Sequence, residues 1–213
     1  MNQNSMLYWY KKIENLNIPM PKSLFCDLNS IAEVTGAANS LGYPCFLRTD
    51  LCSGKHDWKN SCFVQEPSNL QQHMDKVLES NIRWKMLDIE PQAFVVREFL
   101  KLDTLFTAFE GDMPINRERR YFVQDGRVIC SHPYWPSSAF NNHPARMAHG
   151  VDWESKLSIL NERDSTENEL ETYAIEVGKA LGGYWSIDFA KDQTGKWWLL
   201  DMALGANSYH YPH

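Results

Sequence analysis

The segment Tyr184–Asp201, Y-W-S-I-D-F-A-K-D-Q-T-G-K-W-W-L-L-D, restricts this chain to a narrow set of folds. It reads as two apolar strands joined by the turn D-Q-T-G. Asp188 interrupts the first strand and Asp201 ends the second, so antiparallel pairing sets the two carboxylates side by side on one face. An unpaired charge embedded in apolar strands is costly, and two neighbouring carboxylates repel unless a cation sits between them. The hairpin therefore calls for a buried sheet and a cation.

The rest of the chain can supply that setting. Its 213 residues, with eight Trp and nine Tyr, suffice for one substantial domain or two small lobes. A net charge of −6 and a pI near 5.6 argue against a general nucleic-acid binder and favour small molecules or proteins as partners. The five cysteines are odd in number and form no C-x-x-C pair, which predicts reduced thiols rather than a disulfide framework or a zinc site. The N-terminus lacks the pattern of a signal peptide and no segment is apolar enough to span a bilayer, so the expectation is a soluble cytoplasmic protein with no membrane partner.

Helix signals begin at Ser30, where S-I-A-E is a capping box, and run through Ile31, Val34, Ala38 and Leu41 to Gly42. A buried strand (Pro44–Arg48), a loop (Leu51–Asn60) and a short strand (Ser61–Gln65) follow. A second capping box, Ser68 with Gln71, opens a helix with Leu70, Met74, Val77 and Leu78 on one face. Gln92–Leu100 reads as a strand, by itself an edge strand with alternating charge. Leu105–Phe109 reads as another, and Arg119–Ser131 as a hairpin turning at Asp125-Gly126. His132–Asp164 shows no steady period and reads as an irregular excursion that covers a site. A third helix is expected from Thr166, boxed with Glu169, to the stop at Gly182-Gly183. The pattern predicts an α+β fold in two lobes, residues 1–100 and 101–213.

The order of these pieces resembles the ATP-grasp superfamily over nearly the whole chain. Leu16–Phe25 resembles its lead-in strand, Ala37–Arg48 its helix and first nucleotide-lobe strand, and Phe94–Leu100 its interlobe segment. Arg117–Val123 resembles the phosphate-side strand and Gly182–Asp201 the metal hairpin. R-T-D-L-C-S-G-K-H-D-W, the linker containing Arg97, and E-R-R-Y-F-V look most like a divergent branch. That branch includes cell-division-cycle proteins that assist assembly of a translation initiation factor, and predicted ligases of phages and bacteria.

The resemblance implies mainly antiparallel lobes clasping ATP and Mg2+. It places Arg48 where most members carry a phosphate-binding lysine, with a planar fork suited to phosphate oxygens, and Lys55 in a loop above the same phosphates. Without the resemblance, Arg48 is as readily a salt-bridge partner, and Lys55 a solvated loop lysine. Arg97, Glu98 and Leu100 would border the adenine, and Asp103 the ribose hydroxyls. Strand alternation puts Arg117 and Arg119 on one face and Glu118 and Arg120 on the other. The resemblance aims Arg120 into the cleft with Lys55 as the catalytic cations and leaves Arg117 and Arg119 to solvent. Asp188 and Asp201 match the two metal-binding acids, a hard-oxygen set suited to magnesium. Where the superfamily usually adds Asn two residues on, this chain has Ala203, so Asn207 or water would supply that ligand.

The implied activity is ATP-dependent joining of a carboxylate to an amine or similar nucleophile through an acyl phosphate. A nucleotide-binding assembly factor without turnover is the alternative. Many ATP-grasp enzymes carry a separate N-terminal substrate domain that is not read here, which points to a peptide, protein or partner subunit as second substrate. His132, His143, His149 and His210 match no zinc spacing and read as loop or substrate-side residues. The aromatic tail Ala206–His213 is expected to pack over the cleft.

Overall fold

A computed structural model of the chain describes residues 2–110, 112–140 and 146–210. The chain begins with α1 (Met6–Ile13), β1 (Ser23–Asp27), α2 (Ile31–Leu41), β2 (Cys45–Thr49) and β3 (Phe63–Val64). Next come α3 (Leu70–Glu79), the short α4 (Ile82–Lys85), β4 (Ala93–Glu98), β5 (Thr104–Ala108) and β6 (Met113–Asn116). The C-terminal half adds β7 (Glu118–Gln124), β8 (Arg127–Pro133), β9 (Ala148–His149), α5 (Trp153–Asn161), α6 (Asn168–Leu181), β10 (Tyr184–Lys191) and β11 (Trp197–Leu204).

Three antiparallel sheets result, ordered β1-β4-β2-β3, β11-β10-β7-β8 and β6-β5-β9. The α2 and α3 helices pack their apolar faces on the first sheet through Val34, Ala38, Leu70, Met74 and Val77 against Leu47, Phe94 and Val96. The second sheet buries Tyr121, Val123, Ile187, Phe189 and Leu199 against α6 and α1, and Val95 of the first sheet joins that cluster. In the third, Phe106, Ala108 and Ile115 meet Trp135, Phe140 and Leu160. Among the described residues, no helix is long and apolar enough to cross a membrane.

Several elements differ from expectation for identifiable reasons. Helix α1 precedes the first predicted helix. Ser5 caps it by accepting from the Leu7 amide, and Met6, Trp9 and Ile13 form its buried stripe. The Asp50 carboxylate accepts from Ser5 Oγ at 2.5 Å and from the Gln92 amide at 2.8 Å, fastening α1 to the first sheet. Ser30 caps α2 as read, but the Glu33 carboxylate reaches the Asp27 amide rather than completing a box. Ser68 turns to Glu66 at 2.7 Å, and α3 starts after a 3-10 turn at Pro67–Asn69. The box before α6 uses Asp164 and Glu167, on a 3-10 turn at Ser165–Glu167, not Thr166 and Glu169. The excursion after His132 contains β9 and α5, and β4 is an interior strand paired with both β1 and β2. Arg117 and Arg119 are not solvated: the first is part-buried and the second buried.

Candidate active site

Register sets the two hairpin aspartates opposite each other. Asp188 of β10 pairs with Asp201 of β11, so their side chains share a face. Beyond them the register jumps, Phe189 facing Leu199, which leaves Leu200 as the extra residue of a bulge. The extra residue is essential to the arrangement. Trp197 and Leu199 point into the core and strict alternation would send Asp201 after them. The bulge flips the faces, so Met202 continues the core while Leu200 and Asp201 both line the cleft. The Leu200 carbonyl accepts from Arg97 Nη1 at 2.7 Å, tying this strand to β4.

Each aspartate meets an arginine. Arg120, next to Asp188 in the β7–β10 register, grips it through two bonds of 2.7 and 2.8 Å, the forked geometry that makes such pairs strong. Arg48 of β2 reaches across from the first sheet to Asp201 at 2.9 Å. Burial works to raise the Asp201 pKa, but Arg48 and then Arg97 outweigh it and hold the carboxyl below its ordinary value. Arg97 is 5% exposed, and burial together with the nearby Arg48 lowers its pKa to about 10. Lys55 sits in a 3-10 turn, Lys55–Asp57. Burial opposes its charge, yet Tyr134 and Glu118 more than compensate and keep it above the ordinary lysine range.

These groups surround one cleft of about 750 Å³, solvent at its mouth included, a size suited to a small ligand. One part is an apolar shelf that includes Phe46, Trp58, Phe99, Leu102, Met113 and Leu200. Arg48, Lys55, Arg97, Glu118, Asp188 and Asp201 line the other part, and Glu98 and Leu100 border the shelf. The structure thus brings together Arg48, Lys55, Arg97, Glu98, Leu100, Asp188 and Asp201 on one surface. Arg120 does not line it and stands behind Asp188.

Two expected residues face elsewhere. Asp103 does not line the cleft and pairs with Arg117 at 3.1 Å. Asn207, in a 3-10 turn after β11, donates to Asn4 Oδ1 at 3.4 Å. Among the histidines, His132 contacts the Pro133 carbonyl, His149 pairs with Asp112, and His210 meets Cys130 Sγ at 2.9 Å. His143 and residues 211–213 lie outside the described residues. Of the tail, the Tyr209 carbonyl accepts from Arg120 at 3.3 Å.

Sequence reasoning missed two members of the site. Glu118 is 6% exposed, accepts from Trp135 Nε1 at 3.2 Å, and has its pKa raised by burial against the opposing pull of Lys55. Its alternation with Arg120 was the available signal. Tyr134, in the supposed excursion, contacts both Lys55 and Arg120, and no motif marked it.

Among the described residues, no group of three or more His, Cys, Asp or Glu side chains is arranged to hold a metal. The donor set fits magnesium in one specific way. Two hard carboxylates face a cleft, and that ion is commonly held by one or two carboxylates with phosphate oxygens and water completing the shell.

The geometry agrees with the comparisons. The model of an ATP-grasp domain family, the third family of its clade, matches residues 29–212. Among curated proteins, no sequence matches. Solved structures share the fold at low identity. The VanG D-Ala:D-Ser ligase from Enterococcus faecalis has 15% identity and a TM-score of 0.60, over 94% of this chain and 52% of that one. D-alanine–D-alanine ligase from Bacillus anthracis has 12% identity and a TM-score of 0.56, over 94% and 56%. The ATP-grasp ligase PsnB, solved with a minimal precursor, has 12% identity and a TM-score of 0.52, over 95% and 52%. The chain spans about half the length of these structures. Its α+β architecture is the ATP-grasp fold, and the chain belongs to that third family of the ATP-grasp domain clade.

Proposed function

We propose that the cleft binds Mg-ATP and that the protein uses it to activate a carboxylate as an acyl phosphate, which an amine or similar nucleophile then attacks. The observation that carries this reading is the division of one cleft into an apolar shelf and a charged end. The shelf suits a purine: Phe46, Trp58 and Met113 offer apolar faces, and the backbone of Glu98 and Leu100 borders them. The charged end offers Arg48, Lys55 and Arg97 to phosphate oxygens, with Asp188 and Asp201 beside them. Magnesium bound there by Asp188 and Asp201 would neutralise phosphate charge.

The chain's own contribution is alignment and charge. Phosphoryl transfer has little need of a covalent protein group and depends on positioning and electrostatic stabilisation. Arg120 would act on the reacting end through Asp188, or directly once that pair opens. Asp103 and Asn207 stay outside this scheme because of where their side chains point. The two sheets that supply the cleft divide near Leu100, and we assign the nucleotide shelf to the first lobe and the metal acids to the second. The second substrate is a peptide or a small carboxylate or amine, classes represented by the precursor solved with PsnB and the substrates named for the two dipeptide ligases.

One observation favours a second reading, an ATP-binding assembly factor without turnover: Ala203 offers no oxygen where a further metal ligand is expected, and Asn207 turns to Asn4. Incubation with labelled ATP, magnesium and pooled carboxylates and amines separates the two. The ligase reading predicts ADP release that requires a co-substrate. Tight ATP binding without turnover on any candidate would favour the assembly factor.

A further inference from the structure

We propose that Tyr134 is a positioning residue that fixes Lys55 and Arg120 relative to each other, and through them sets the grip of the cleft's charged end on a triphosphate. The proposal rests on reading the cleft as a nucleotide site.

The ring lies between two cations that come from different sheets. Lys55 Nζ is 3.1 Å from the Tyr134 hydroxyl and 4.5 Å from the ring centroid. The Arg120 guanidinium carbon is also 4.5 Å from that centroid. The face of an aromatic ring is electron-rich and attracts cations, so one side chain satisfies two like charges that would otherwise repel. The hydroxyl adds an acceptor for the ammonium.

Both ends of this contact are anchored. The Tyr134 amide donates to the Glu118 carbonyl at 3.0 Å, and the ring packs edge-on against Trp135 with centroids 4.7 Å apart. Trp135 is 4% exposed and bonds Glu118. The Lys55 turn is held at its base by Ser61 Oγ, which donates to the carbonyls of Gly54 and Asp57, 2.7 Å from each. Gly54 before it has φ +62°, and a Cβ there would come within 3.2 Å of Ser61 and Ser80 side chains. With both backbones fixed, the reach of the lysine's long flexible stem is set by what its ammonium touches. Tyr134 does not line the cleft, so it acts through Lys55 and through Arg120, whose guanidinium in turn orients Asp188.

The test is calorimetric titration with Mg-ATP and, separately, with AMP. Tyr134→Leu is expected to lower Mg-ATP affinity by about 10- to 100-fold, the loss of a cation–π contact and a charged hydrogen bond, while AMP affinity stays within about twofold. Tyr134→Phe keeps the ring and is expected to recover part of the loss. Combining Tyr134→Phe with Lys55→Met should cost no more than Lys55→Met alone, a non-additivity that a merely structural tyrosine would not produce. The Phe variant and that combination decide the matter even if Tyr134→Leu does not fold. Equal losses for ATP and AMP, unchanged affinity for both, or additive losses would overturn the role of Tyr134. Wild-type protein that binds neither nucleotide would instead overturn the proposed function.

Discussion

Charge collects on both faces of the chain around the start of β7, and the two collections differ in kind. On the helix side, Arg119 bonds Glu167 at 2.8 Å and the carbonyls of Glu118 and Leu160 at 3.1 and 3.2 Å, with Asn161 and Glu162 also within its reach. Arg117 bonds Asp103 and the carbonyls of Leu160 and Glu162. These donors close the C-terminal end of α5, where helix carbonyls lack partners. On the cleft side, Arg120 and Arg48 meet carboxylates that themselves border open volume. Buried arginine is therefore no sign of a site by itself. Charge whose partners are side chains exchangeable for a ligand, beside a cavity with an apolar shelf, is the distinguishing combination.

The largest effect is expected where the helix-side cluster is broken. Arg119→Met leaves Glu167 buried without its cation, and urea denaturation should show a loss of about 3–5 kcal/mol. A loss below about 1 kcal/mol, the scale of an exposed pair, would mean the two faces are not different in kind. Next, Arg48→Met should lower Mg-ATP affinity by about 10- to 100-fold, the scale of a lost charged hydrogen bond, with a smaller loss of stability than Arg119→Met. The reverse ranking in titration and denaturation would erase the comparison.

The two sides should also titrate in opposite senses. Lys191 and then Thr166 hold the Asp164 carboxyl, which opens α6, below the usual carboxylate range. A depressed folded value stabilises above the ordinary aspartate pKa of about 3.9, and that stability is lost as pH falls through the folded value. Glu118 in the cleft is raised, so its contribution is full below about 4.3 and lost as pH rises through the folded value. Denaturation across the acid range should show Asp164→Asn flattening the acid limb and Glu118→Gln removing a decline on the neutral side. Smallest of all, Asn207→Ala should change Mg-ATP binding by no more than about 0.5 kcal/mol, as expected of an exposed side chain bonded only to Asn4 among the described residues. A tenfold loss would return Asn207 to the metal site.

Local pattern made much of this visible in the sequence. The β10–β11 hairpin, its facing aspartates, the β7–β8 turn and the two faces of β7 all follow from period-two alternation. The bulge at Leu200 did not, because W-W-L-L-D offers apolar residues to both faces and leaves the register open. Helix α1 was hidden by M-L-Y-W-Y, whose aromatic residues favour helix weakly. Helix α5 was hidden because Asp152 before it has φ +61° and makes no capping bond, so the usual start signal is absent. Tyr134 was out of reach for another reason. Its role is its contact with Lys55, 79 positions away, and no periodicity reports a contact between a loop and a strand end of different sheets.

The most direct test of the account is ATP titration with and without magnesium, on wild type, Asp188→Asn and Asp201→Asn. Because each acid is paired with a cation, nucleotide and metal should bind wild type together, metal replacing arginine on the carboxylates as phosphate takes the arginines. The account predicts strong binding only with both present, and loss of the magnesium dependence in either variant. ATP binding that is unchanged by magnesium in wild type and by both substitutions would contradict it, as would no binding under any condition.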